Sequence, residues 1–453
     1  METRSSYKNS DRVLACASLV TFMVALDAAL LNVSFPAINN NFAGASPAAI
    51  AWVINIYSLT LAVLLVPAGR LADRSGNRLM LIAGFMMSLL GAVLCGFSRT
   101  VGELVLSRFL QALGGAMALP ASLAVILQNF HGKERPMAVG RWSAAGGIAA
   151  AAGPPLAAVV MHLSSWRMLF FAHVPLCLWG LWLSSRMPHA SRSQVSLPGI
   201  ASVISPIVAG MGLLVAAITI HTMPSLLTLG AIVGGIFLIL SGVRLARKAE
   251  HLHERFANRG LAFASLATFC FGGVFGAMFI SYDLALVGRF HFEIPTAALL
   301  LAPVPLLSVP VARSCGKLHQ YWHAGTIIII GGTCLFSGAL FFVTMLLAGH
   351  FNAFAWVATL ALSAAGIGLC FPSVSLAGVS AIAPEYHALA SGLNQSCRHI
   401  GTVIGIAALT YLSGPSLHHF LVAWGLLVCF CAGTIFTAAM FSVAPTILRT
   451  THD

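Results

Sequence analysis

Of 453 residues, 58% are hydrophobic and only 8% are charged, against roughly 25% charged in a soluble domain, which excludes a water-soluble globular protein. The net charge of +12 is explained by where the cations fall along the chain, so no nucleic-acid partner is inferred from it. Ten cysteines are scattered without a CxxC pair. Cysteine often serves as a small buried apolar residue, so disulfides and metal are not expected, and no cofactor is expected either.

Apolar runs of about 20 residues, the length that crosses a bilayer, recur along the whole chain, and about fourteen are counted. They are continuous rather than alternating, so the spans are helices and not barrel strands. The first follows Arg4, Lys8 and Arg12. With no small-residue cleavage site after it, it reads as a retained span. It contains Asp27. A carboxylate inside a span costs about 3 kcal/mol by insertion scales, so this one needs a cation or a proton.

Between the second and third runs, the segment from Gly69 to Arg78 (GRLADRSGNR) packs four charges and two glycines. Gly69 and Gly76 permit close approach and a tight turn. Asp73 is placed to cap the next helix or to pair with Arg74 or Arg78. The segment reads as a hinge with a latch at one membrane face; the alternative is a solvated turn that only sets topology.

In the fourth run, Arg108, Gln111 and Gly115 are spaced i, i+3, i+7 and share one helix face. A polar face inside a membrane must look into the bundle or a wet cavity. Arg108 is the obvious partner for Asp27 by depth. Asp27 lies about 22 Å along a helix starting near Arg12, at about 1.5 Å per residue, and Arg108 sits near the same level on a helix running the other way. Burial favours the neutral carboxyl and the guanidinium favours the charged one, so the group is poised between two states. Two readings stand: a proton-coupling pair, or a static ion pair that orders the bundle. Gln111 either contacts substrate or braces Arg108.

Along the fifth run, Gly146, Ala150, Gly153 and Ala157 form one stripe of small residues, and Gly147, Ala151, Pro154 and Ala158 an adjacent one. Small stripes let helix backbones approach closely, and Pro154 bends the helix. Sealing against proton leak and ordinary close packing are both open. Further on, Asp283 lies near the outer end of its run, either solvated or attracting a cation or proton. Arg398 lies on the inner half of the thirteenth run, with carbonyls or the facing bundle as its nearer partners. His251-Leu252-His253-Glu254 reads as a solvated loop rather than a metal site.

Lysine and arginine fix the orientation. All but five of the 24 fall on the face of the N-terminus; Arg99, Arg167 and Arg289 lie opposite, and Arg108 and Arg398 lie within spans. The positive-inside rule then makes both termini cytoplasmic. The loops divide the chain into an N-terminal six-helix bundle (1–186), a linker with two additional spans (187–259) and a C-terminal six-helix bundle (260–453). The two bundles carry a weak repeat. Gly316-Lys317-Leu318-His319-Gln320 answers to Gly69-Arg70-Leu71-Ala72-Asp73, and Ala390-Ser391-Gly392 to Ala138-Val139-Gly140. Parallel six-span repeats are a transporter plan, with the substrate site near midplane between the halves.

Taken together, these residues resemble the major facilitator superfamily, in its fourteen-span drug:proton antiporter branch. Leu26-Asp27-Ala28-Ala29-Leu30-Leu31-Asn32-Val33-Ser34-Phe35-Pro36 is similar to that branch's first-span signature, with Ala29 for the usual Thr. Trp52 and Tyr57 match the start of the second span, and Gly69 to Arg78 the hinge motif. Arg108, Gln111 and Gly115 match the fourth-span motif, with Ala112 for Gly. Gly153-Pro154 fits the antiporter motif, with Ala157-Ala158 for its double Gly. In the sixth span His173 replaces a common Asn. Asn394, Arg398 and Gly401 match the thirteenth.

The resemblance implies an all-α membrane protein of the inner membrane with two bundles and two linker helices. It further implies proton-coupled export of amphipathic or cationic small molecules, such as drugs or antibiotics. Asp27 and Arg108 would couple protons; Asn32, Trp52, Tyr57, Gln111, Asp283 and Arg398 would line the substrate pathway. Gly69, Asp73, Arg74, Gly76 and Arg78 would form the gate, and Gly146, Gly153 and Pro154 the antiporter motif. A dedicated exporter of one natural product, a facilitator or an importer are the alternatives. An enzyme is disfavoured by the lack of HExxH, GxSxG or any converging set of nucleophile and base. A sensor or scaffold is disfavoured because no loop is long enough for a soluble domain.

Overall fold

The computed structural model describes residues 2–42, 45, 47–187, 259–380, 382–412 and 417–443. Its helices, numbered among those residues, are α1 (Glu2–Asn41), α2 (Pro47–Ser75), α3 (Asn77–Phe97), α4 (Val101–Asn129), α5 (Glu134–Leu163), α6 (Arg167–Phe171) and α7 (His173–Ser185). Then follow α8 (Arg259–Gly288), α9 (Ile294–Leu301), α10 (Pro303–Leu318), α11 (Ala324–Ala348), α12 (Ala353–Ser380), α13 (His387–Leu412) and α14 (Leu417–Val443). Ten helical segments among the described residues are long and apolar enough to cross a membrane. Of the fourteen expected spans, the two assigned to the linker lie outside the described residues, as does the segment from His251 to Glu254. Of the other twelve, ten coincide with those helical segments, and the last two fall on α13 and α14, which are helices but not among the ten.

The breaks between helices have local causes. Gly76 sits at φ 98° between α2 and α3, a backbone region that costs glycine nothing. The start of α4 is a reciprocal cap: Thr100 Oγ1 accepts from Glu103 N at 3.2 Å, while Glu103 Oε2 accepts from the backbone N–H groups of Arg99 and Thr100 at 2.7 and 3.4 Å. That arrangement satisfies donors that a helix start leaves orphaned. Pro303, at the first turn of α10, separates it from α9, since proline offers no N–H to continue the preceding helix.

Two compact units emerge. The first comprises Met1–Ala138, Ala145–His253 and Ala383–Ser396; the second, Val139–Ala144, Glu254–Ile382 and Cys397–Asp453. In the first, α4 is the central element, packed on α1, α2 and α3, and α7 packs on α1 and α3. In the second, α12 takes the same part against α8, α10 and α11. Each is the fourth candidate span in the described part of its unit's stretch of chain, counted from residue 10 and from residue 260.

Lipid removes the hydrophobic drive between spans, leaving close van der Waals packing of small residues. The α3–α4 seam shows this. A side chain at Gly84 would meet Ala118 Cβ and the Gly114 carbonyl, and one at Gly114 would strike Ser88 and Gly84. Overpacking of this kind costs about 1–3 kcal/mol. Gly114→Val is therefore expected to lower the apparent melting temperature of the detergent-purified chain, whereas Gly102→Ala, where a side chain meets nothing within 4 Å, should leave it unchanged.

Candidate functional site

The α4 face predicted from spacing carries the centre of the site. Arg108 Nη1 donates to Asp27 Oδ1 at 2.6 Å and to Gln111 Oε1 at 2.8 Å, and Gln111 Nε2 donates to the same Asp27 oxygen at 2.9 Å. Arg108 Nε reaches the Val53 carbonyl at 3.4 Å. Tyr57 lies against the guanidinium, 4.4 Å from ring centroid to Cζ, with Phe170 on another side at 5.7 Å. Asp27 and Arg108 are 3% and 1% exposed. A buried charge pair persists only when its remaining valences are met, and here α1, α2 and α4 each supply part of that. Gln111 braces both members of the pair. Gly115 leaves room for Tyr57, whose hydroxyl would stand 3.2 Å from a side chain there.

One oxygen of the carboxylate is thus occupied twice. The other, Asp27 Oδ2, is buried without a hydrogen-bond partner, as is His173 Nε2 nearby. His173 Nε2 stands 3.7 Å from Asp27 Oδ1, and its Nδ1 lies 3.2 Å from the Leu169 carbonyl. Asp27 and His173 both line a small cavity of about 20 Å³ with Val20, Met23, Tyr57, Ser88 and Gln111, room for about one water. His173 was not among the candidates from the sequence. The available signal was a titratable residue inside a span where the resembled family has Asn.

The remaining candidates distribute as follows. Trp52 is half-buried on α2, next to the Val53 that receives Arg108. The Asn32 side chain lies outside the described residues. Gly146 and Gly153 face α1, where side chains would meet Thr21 and Ala29. Ala157, the next in that stripe, is fully buried with Leu26 and Leu30. Pro154 and Pro155 lie within α5 without ending it. In the second unit, Asp283 is exposed on α8 beside Tyr282, which is buried and shares a 2.9 Å hydrogen bond with Ser363. Arg398 is half-buried on α13, its guanidinium 5.1 Å from the Phe371 ring centroid and 3.2 Å from His399 Nε2.

The hinge segment requires a correction. Asp73 neither caps α3 nor pairs with Arg74 or Arg78. Its carboxylate accepts from the backbone N–H groups of Ala388 and Leu389, at 3.0 and 2.8 Å, in the first turn of α13. Those donors are orphans of a helix start and the dipole there favours an anion, so a helix 315 residues away outcompetes neighbouring side chains. Arg78 instead donates to the Ser184 and Ser185 carbonyls at 3.2 and 2.6 Å, at the last turn of α7. Gly69 explains the approach: a side chain there would strike the Ala388 carbonyl, and one at Gly392 the Leu65 carbonyl. The internal repeat has the same basis, because a side chain at Gly140 on α5 would strike the Ala312 carbonyl on α10.

Comparison with known proteins agrees with this fold. A family model described as Major Facilitator Superfamily matches residues 17–406. The chain is 26% identical over 412 residues to the multidrug resistance protein Stp of Mycobacterium tuberculosis, covering 87% of this chain and 74% of that protein. It is 26% identical over 423 residues to the multidrug transporter protein MdtP of Bacillus subtilis, covering 90% and 76%. A shorter match, 37% over 169 residues, covers 37% of this chain and 34% of the methyl viologen resistance protein SmvA of Salmonella typhimurium. Among solved structures, the human organic anion transporter MFSD10 superposes with a TM-score of 0.69 at 14% identity, covering 95% of this chain and 99% of that one. The proton:xylose symporter XylE gives the same score and identity, covering 97% of each chain; both likenesses concern the fold alone. The chain belongs to the Major Facilitator Superfamily and is a multi-pass membrane transporter, not an enzyme.

Proposed function

We propose that this transporter is a proton-coupled exporter of amphipathic organic compounds across the cytoplasmic membrane, working by alternating access. In this reading it belongs to the fourteen-span drug:proton antiporters, with six spans in 1–186, two in 187–259, six in 260–453 and both termini cytoplasmic. The observation that carries it is the Asp27 carboxylate, buried within the first span with one oxygen held by Arg108 and Gln111 and the other unpartnered. Intramembrane carboxylates mark proton or substrate pathways. A proton on the open oxygen removes the charge that holds Arg108, and its loss restores the pair. A transporter that binds the proton in one conformation and releases it in the other couples the gradient to its own rocking.

The substrate class rests on the relatives. Two are named for multidrug resistance or transport and one for resistance to methyl viologen, a small organic cation. Half-buried Trp52 suits such a cargo by cation–π attraction, and, separately in the second unit, the exposed Asp283 carboxylate suits it by charge. The test is ethidium movement in proteoliposomes of the full chain under an imposed pH gradient. Gradient-driven accumulation is expected. Flux indifferent to the gradient would reduce the protein to a facilitator, and no flux with ethidium or methyl viologen would remove this substrate class.

Asp73 at the start of α13 serves as the latch of one conformation in the same scheme. A carboxylate at a helix N-terminus contributes about 1 kcal/mol, roughly fivefold in an equilibrium. Asp73→Asn keeps the shape but loses the charge and one acceptor. Ethidium turnover is expected to fall several-fold, with the half-saturating concentration changed less. Normal turnover would reduce the segment to a topological signal.

A further inference from the structure

We propose that His173 is a second proton-binding group of this transporter, and that the proton loaded at the α1–α4 site is held jointly by Asp27 and His173. The inference rests on the proton-coupled reading above and adds a residue that reading does not contain.

The argument starts from what surrounds the imidazole. Its Nδ1 faces the Leu169 carbonyl, and the Met23 carbonyl and the Asp27 carboxylate also bear on the ring. All three are acceptors. A carbonyl opposite Nδ1 selects the tautomer with its proton there, leaving a bare lone pair on Nε2. That lone pair, turned toward further acceptor oxygens, has nothing to accept. Asp27 Oδ2, likewise buried, has nothing donating to it. Two buried acceptors without a donor in one pocket are unfavourable, and one proton shared between them serves both. On the carboxyl, O–H donates toward Nε2; on the ring, Nε2–H donates toward the carboxylate. The transfer breaks one O–H bond and forms one N–H bond, with no change in total charge.

The nearest approach of Nε2 to the carboxylate is 3.7 Å, to the Oδ1 already held by Arg108 and Gln111, too long for a direct hydrogen bond. A rotation of either side chain closes it, and the cavity lined by both residues has room for about one bridging water. Among the described residues, Arg108 on α4 is the other charged group that bears on the ring, and Tyr57 on α2 lines the same cavity. Of these only Arg108 carries a fixed charge, and it opposes a cationic ring. The Asp27 carboxylate is the anion that faces the ring and, as proposed, the counterion of a proton on His173.

Solid-state NMR of the full chain in lipid bilayers, labelled with ¹⁵N-histidine, tests this directly. The His173 resonance is assigned by its loss in His173→Asn, or in His173→Gln should the first fail to fold. In wild type the ring is expected to convert to the doubly protonated form as pH falls from 8 to 5, and in Asp27→Asn to stay neutral throughout. A ring neutral in both proteins, or converting identically in both, would overturn the proposal. Transport provides a separate reading: His173→Asn is expected to displace the pH dependence of ethidium efflux. Absent efflux in wild type would strike the exporter reading alone, since the ring's protonation is decided without it.

Discussion

Asp27→Asn is expected to abolish ethidium accumulation driven by a pH gradient while leaving a folded, membrane-inserted protein. The substitution is nearly isosteric and keeps an oxygen where Arg108 Nη1 and Gln111 Nε2 donate. Arg108 also retains the Gln111 and Val53 oxygens and the face of Tyr57, so its charge is not stranded. What disappears is the titratable group. With no site that changes charge between the two faces, a pH gradient has no differential affinity through which to act. Exchange of ethidium down its own gradient is therefore expected to persist while uphill transport falls to the level of empty liposomes. Uphill transport at wild-type rate would take Asp27 out of the coupling role and leave the pair as a structural device.

Much of this site was legible in the sequence for a physical reason. A charge inside a span is so costly that Asp27 and Arg108 stand out of an apolar background, and helix geometry at 1.5 Å per residue places them at one level. The i, i+3, i+7 face of α4 similarly announced Gln111 and Gly115. The fifth-span stripe was visible because small residues are the only way two backbones come close in lipid, and Gly146 and Gly153 do meet α1.

What escaped were choices among partners. Asp73 had three basic or helical neighbours in sequence, and nothing local indicated that the start of α13 would supply better donors. That preference depends on two glycines, Gly69 and Gly392, removing bulk on both sides of one crossing. His173 escaped because a histidine in a span is often a satisfied polar residue. Only the acceptor-rich surroundings, assembled from α1 and α6, distinguish it.

Removal of the cation predicts a different outcome from removal of the anion. In Arg108→Gln the Asp27 carboxyl loses its counterion and keeps one side-chain donor, Gln111 Nε2. Breaking a buried pair by deleting one member costs about 3–5 kcal/mol, whereas replacing both members can be neutral. The single variant is therefore expected to melt well below wild type in detergent and to transport nothing uphill. The double variant Asp27→Asn with Arg108→Gln is expected to recover most of the lost stability, though none of the uphill transport. Residues in direct contact deviate from additivity by about 0.5–3 kcal/mol, so recovery in the double variant measures the pair itself. If the double variant instead melts at or below Arg108→Gln, the guanidinium acts mainly through Val53 and Tyr57, and the charge pair is not what holds α1 to α4. Stability and coupling thus separate in this design: the ion pair's charge balance governs the first, and only a group that gains and loses a proton can restore the second.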